Sequence, residues 1–142
     1  MPFAENDGVR VAYERVGNPD GETVAFVEGL GYGRWMWHWQ RQALEDDFDI
    51  ILWDNRGTGE SDVPDGPYTI PEMAGDLDAV LADAGIDEAH IVGASMGGMI
   101  SQQFALDYDR AKTLTLLCTT PGGPEEIPIP EDTLERMFGV PD

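Results

Sequence analysis

The residues best placed to do chemistry are Gly93-Ala94-Ser95-Met96-Gly97. A short branched apolar run at 89–92 precedes them, and Met99, Ile100, Gln103 and Phe104 follow with helical spacing. A serine at so abrupt a strand-to-helix reversal takes backbone angles that few residues with a side chain adopt. Gly93 and Gly97, at minus two and plus two, let the crowded backbones pass. The Ser95 hydroxyl is then lifted off the sheet at the positive end of the following helix, a setting suited to a nucleophile. The plainer readings of the same pattern are a tightly packed turn or a phosphate cradle at the helix start.

A second cluster lies at residues 28–33, Glu-Gly-Leu-Gly-Tyr-Gly, directly after the apolar run Thr23-Val24-Ala25-Phe26-Val27. A glycine-rich loop at the carboxyl end of a buried strand can present backbone N–H groups to an oxyanion. The polar turn at 54–61 carries Asp54 and Arg56, which read as partners that order the loop rather than as reacting groups. Only two histidines are present. His90 opens the strand that leads into Ser95, so at about 3.3 Å per residue it stands roughly 16 Å away, at the wrong end. His38 falls in the helix after the glycine loop and reads as a surface or interface residue. The single cysteine, Cys118, ends a strand-like run and reads as a buried, inert thiol. Neither histidine has clustered ligands, so no metal site is expected.

The elements that must hold these groups alternate in type. Residues 3–17 read as a β-hairpin turning at Asn6, Asp7 and Gly8. Strands are expected at 23–27, 48–53, 88–92 and 111–118, and helices at 34–44, 70–84 and 96–108. Thr69 is placed to cap the second helix, with Pro71 and Glu72 in its first turn, Leu77, Val80 and Leu81 as its inner stripe, and Gly85 to stop it. Trp35, Trp37 and Trp39 on the first helix serve as core and pocket wall together. After Thr119, prolines space out a loop, and a small helix is expected at 131–137. This order specifies an α/β fold, a mostly parallel sheet with helices on both faces.

Composition narrows the function. The chain has 142 residues, and 28 acidic against 8 basic side chains give a formal charge of −20. Such a surface repels nucleic acid and anionic membrane. Because the acids are dispersed, it resembles the surfaces of proteins from salt-loving microbes, and a need for high salt is expected. No basic-then-apolar leader and no long apolar stretch occur, so a cytoplasmic location is the expectation. Neither a P-loop pattern nor G-x-G-x-x-G follows the first strand, which argues against nucleotide binding.

The elbow, the glycine loop and the 54–61 turn together resemble the α/β-hydrolase family, in the form of its single-domain esterases and enol-lactonase-like members. The resemblance implies a serine hydrolase that cleaves a small ester or lactone through an acyl-enzyme, without a cofactor. It makes Ser95 the nucleophile and assigns the oxyanion hole to the backbone N–H groups of Leu30 and Met96. Glu28 stands where the family usually has histidine, and a carboxylate facing inward there would weaken the hole. The family's acid and histidine follow later strands, in the chain order Ser, acid, His. The resemblance therefore covers only the first half of the family's fold. Residues 1–118 correspond to core sheet and helices and 119–142 to the start of a cap, so the chain is expected to be truncated and inactive alone. Its far strand would expose an apolar edge. The alternatives are a non-catalytic remnant or interaction module, or one half of an enzyme completed by a second chain or by self-association.

Overall fold

The computed structural model describes residues 1–139. Its strands are β1 (Phe3–Asn6), β2 (Val9–Gly17), β3 (Thr23–Val27), β4 (Asp49–Trp53), β5 (Ala89–Ala94) and β6 (Ala111–Leu117). Its helices are α1 (His38–Leu44), α2 (Ile70–Asp83), α3 (Met96–Asp107) and α4 (Glu131–Phe138). A 3-10 turn, Arg34–Trp37, leads into α1, so the expected helix at 34–44 is in fact two pieces. The six strands form one sheet in the order β1-β2-β4-β3-β5-β6. β1 and β2 pair antiparallel, as do β2 and β4, whereas β4, β3, β5 and β6 run parallel. The α/β fold read from the sequence is thus the fold observed.

Strand alternation sorts the core into two layers. Ala25, Val27, Ile51, Trp53 and Ile91 point toward α2 and α3, where they meet Leu77, Val80, Leu81, Ile100 and Phe104. Val24, Phe26, Ile50 and Leu52 point to the opposite face and pack on Trp37. A fully buried leucine or isoleucine of this kind stabilises the fold by about 1.5–3 kcal/mol. The buried stripe of α2 matches its sequence period. The helix begins with a reciprocal cap: Thr69 Oγ1 accepts from the Glu72 N–H, and the Thr69 N–H donates to Glu72 Oε2 at 2.8 Å. Gly85, at φ 71°, follows its end, as the glycine stop requires.

The β6 side differs. Leu114, Leu116 and Leu117 are 38%, 41% and 43% exposed, and in the sheet order β6 has a neighbour on one side only. Cys118, expected to be buried, is exposed, because the face that would cover it carries no described element. The tryptophans also divide: Trp37 is buried, whereas Trp35 and Trp39 are exposed, since only one face of the short turn and helix meets the sheet.

Candidate active site

The strand β5 and the helix α3 are joined by a single residue, Ser95, with φ 54° and ψ −119°. For a residue with a Cβ this is a strained conformation, and it persists only where the surroundings impose it. They do so from several directions. The Ser95 N–H donates to the Leu117 carbonyl at 2.9 Å, and the Thr119 hydroxyl donates to the Ser95 carbonyl at 2.6 Å. The Gly98 and Met99 amides also turn back to that carbonyl. A Cβ on Gly93 would collide with Ser101 Oγ and the Gly97 carbonyl. One on Gly97 would lie 2.6 Å from the Glu28 carbonyl and closer still to that of Val27. Both elbow glycines are therefore required by close backbone approach. The outcome is an exposed Ser95 at the N-terminus of α3.

The glycine loop comes to the same place. A Cβ built on Gly29 would sit 3.5 Å from Ser95 Cβ, so the loop after β3 touches the elbow directly. Leu30 and Met96 border one open cleft of about 370 Å³, together with Met73, Tyr68 and Ile70. Among the described residues, neither the Leu30 amide nor the Met96 amide donates to the protein. The loop after β3 thus lies against Ser95, and Leu30 and Met96 share a cleft with Met73, Tyr68 and Ile70 on its apolar side.

For Glu28 the sequence leaves the direction of the carboxyl open, and the fold decides it. Its carboxyl is fully buried and turned away from the cleft, beneath the Trp37 layer. Oε1 accepts the Asn55 N–H at 2.9 Å, and the Asn55 side-chain amide donates to the Glu28 carbonyl at 3.3 Å. Burial is the largest influence on this group and pushes its pKa up to about 8; the N–H groups of Asn55 and of Glu28 itself and, more weakly, the Trp37 indole oppose that, and the charge of Asp54 reinforces it. With that shift the neutral acid is the main form at neutral pH. The carboxyl is buried against Asn55 and is not among the residues that line the cleft bordered by Leu30 and Met96.

Asp54 and Arg56 order their loop, but not through each other. Asp54 accepts from the Arg34 backbone N–H at 2.8 Å and the Glu60 N–H at 3.0 Å, and pairs with the Arg34 guanidinium. Arg56 binds Asp76 of α2 through two bonds of 2.7 and 2.8 Å. The histidines lie apart from Ser95. His90 contacts Thr113 at 2.7 Å and Glu22 at 3.5 Å, at the opposite end of the strand. His38 borders a different cleft, of about 520 Å³, with Glu14, Arg34 and Arg41. Asn55, the clamp on Glu28, and Thr119, the latch on the elbow carbonyl, were missed in the sequence. Neither has a local signal, because both act across loops that only the folded sheet brings together. Among the described residues no three His, Cys, Asp or Glu side chains converge as metal ligands. Among the same residues, no helix is long and apolar enough to cross a membrane.

Comparison with known proteins agrees with this fold. The profile of the alpha/beta hydrolase fold matches residues 22–141. RutD of Azorhizobium caulinodans, a proposed carbamate hydrolase, is 36% identical over 118 residues, which are 82% of this chain and 44% of RutD. Est816, an N-acyl homoserine lactone degrading enzyme, superposes with a TM-score of 0.80 at 32% identity, over 96% of this chain and 52% of its own. A thermophilic esterase from Thermogutta terrifontis superposes with a TM-score of 0.79 at 36% identity, over 87% and 48% of the two chains. The chain spans about half the length of the relatives it matches.

Proposed function

This chain belongs to the α/β hydrolase family, and from that premise we propose that it supplies the nucleophile and oxyanion donors of a serine hydrolase acting on a small ester or lactone. The observation that carries the reading is the Ser95 backbone, at φ 54° in a residue that is not glycine, with the loop after β3 against it. In the proposed reaction Ser95 Oγ gives its proton to a base and forms a bond to the substrate carbonyl carbon. The Leu30 and Met96 amides hold the resulting oxyanion. The C–O bond to the leaving alcohol then breaks, the alcohol takes the proton, and water releases the acyl group from Ser95. An apolar flank from Met73, Tyr68 and Ile70 beside these donors favours an alkyl or lactone ring over a charged group.

Neither described histidine borders the Ser95 cleft: His38 lines a separate one, and His90 bonds Thr113 at the opposite end of β5. The proposal therefore assigns the base to an imidazole in the remainder of the protein, with a carboxylate to orient it, as family chain order implies. The test is turnover of short-chain esters and lactones by the complete protein, wild type against Ser95→Ala. Activity falling below about a hundredth of wild type is expected, and residual activity above that contradicts the assignment.

A further inference from the structure

Glu28 is a fully buried carboxyl that, among the described residues, faces no basic side chain, unlike buried Asp49, Asp54 and Asp76, which each pair with an arginine, and it lies at a junction. Its carbonyl accepts from the Asn55 side chain, and the same carbonyl forms the surface on which Gly97 of α3 rests. Its carboxyl accepts from the Asn55 backbone. The residue therefore ties the loop after β3 to the loop after β4 and to the first turn of α3. Leu30, two residues on, carries one oxyanion amide, and Met96, at the start of α3, carries the other. Buried polar atoms are also left over here: Glu28 Oε2 and Asn55 Oδ1 accept no hydrogen bond, and the Trp37 indole N–H lies beside the Glu28 carboxyl as a weak donor without closing a bond of normal geometry. Two of the three are acceptors when Glu28 is ionised, so a carboxylate would leave this pocket with surplus acceptors and an uncompensated charge.

We propose that Glu28 acts, as a neutral carboxylic acid, as the positioning residue that holds the Leu30 amide opposite the Met96 amide by locking its loop to Asn55. This rests on the reading of Ser95 as the nucleophile. A proton on Oε2 converts one surplus acceptor into a donor, whereas ionisation puts a negative charge behind a loop that must stabilise another. The charged groups on the surrounding elements do not offset that charge. Asp54 is already paired with Arg34, which also binds Glu14, and Arg56 is taken by Asp76 and Glu72. From α1, His38 and Arg41 face a separate cleft, and residues 96–103 of α3 carry no ionisable side chain. Burial holds the Glu28 pKa near 8, which puts the loss of the proton within experimental reach.

The test compares the complete protein with its Glu28→Gln variant, which keeps an acceptor and the side-chain shape but cannot ionise. Two readouts are followed from about pH 6 to about pH 10. In the first, the backbone amide resonances of Leu30 and Asn55 shift together in wild type, with a midpoint near pH 8, and stay flat in Glu28→Gln. In the second, the rate of Ser95 modification by a fluorophosphonate falls on the order of tenfold above that midpoint in wild type, and not in the variant. Superimposable rate profiles overturn the proposal, and so does a titration confined to Asn55 that leaves Leu30 unmoved. If neither protein reacts at any pH, the hydrolase reading fails and the amide titration alone decides whether Glu28 positions the loop. If Glu28→Gln does not fold, the wild-type Leu30 titration decides.

Discussion

The loops after β3 and β4 leave adjacent parallel strands on the same edge of the sheet, yet they are finished in opposite ways. The β4 loop is rich in charged groups and pairs them: Asp54 accepts from Arg34 and Glu60, Arg56 from within the loop donates to Asp76, and Ser61 donates to the Asp54 carbonyl while accepting from Ala12. Asp54, Arg56 and Ser61 are all buried. The β3 loop is nearly free of charge, yet it leaves Leu30 exposed and its amide open beside Ser95. On the proposed reading of Ser95, charged residues in a turn are a poor guide to reactivity. Unengaged donors next to a strained serine are a better one, because a donor that already has a partner must lose it before it can stabilise a transition state.

Substitutions can break this contrast in order of expected effect. Gly97→Ala should be the most damaging of the structural changes, because its Cβ meets the backbone carbonyls of Val27 and Glu28, which cannot swing aside. A loss of about 3 kcal/mol or more in chemical unfolding is expected, together with displacement of the β3 loop from Ser95. Asp76→Ala should follow closely. It leaves the Arg56 guanidinium, 6% exposed, without its main partner, and breaking a buried pair on one side costs about 3–5 kcal/mol. Its effect should appear as lost stability with the β3 loop unmoved, readable from the Leu30 amide resonance. Thr69→Ala removes the α2 cap and should cost only about 1 kcal/mol, seen as a small drop in thermal midpoint with no change at Ser95. If Asp76→Ala moved the Leu30 amide as far as Gly97→Ala does, the two loops would not be separable and the contrast would be wrong.

Much of this was legible in the sequence, for physical reasons that differ by element. The α2 helix was readable because its cap, stripe and stop are all local: Thr69 with Glu72, Leu77 with Val80 and Leu81, then Gly85. The elbow was readable because backbone crowding allows only glycine at 93 and 97. Glu28 was legible as an oddity but not in its orientation, since what turns it inward is Asn55, contributed by the neighbouring strand's loop. Cys118 was misread because an apolar strand pattern specifies a face meant to be covered and not what covers it; the leucines of β6 remain partly exposed for the same reason.

In the proposed function the strain at Ser95 serves to present an activated nucleophile. That role is tested most directly by exposing the complete protein to a fluorophosphonate and mapping the adduct by peptide mass. One adduct, on Ser95, absent from Ser95→Ala, is the predicted result. An unmodified Ser95, or an adduct that persists on another residue in Ser95→Ala, would contradict it.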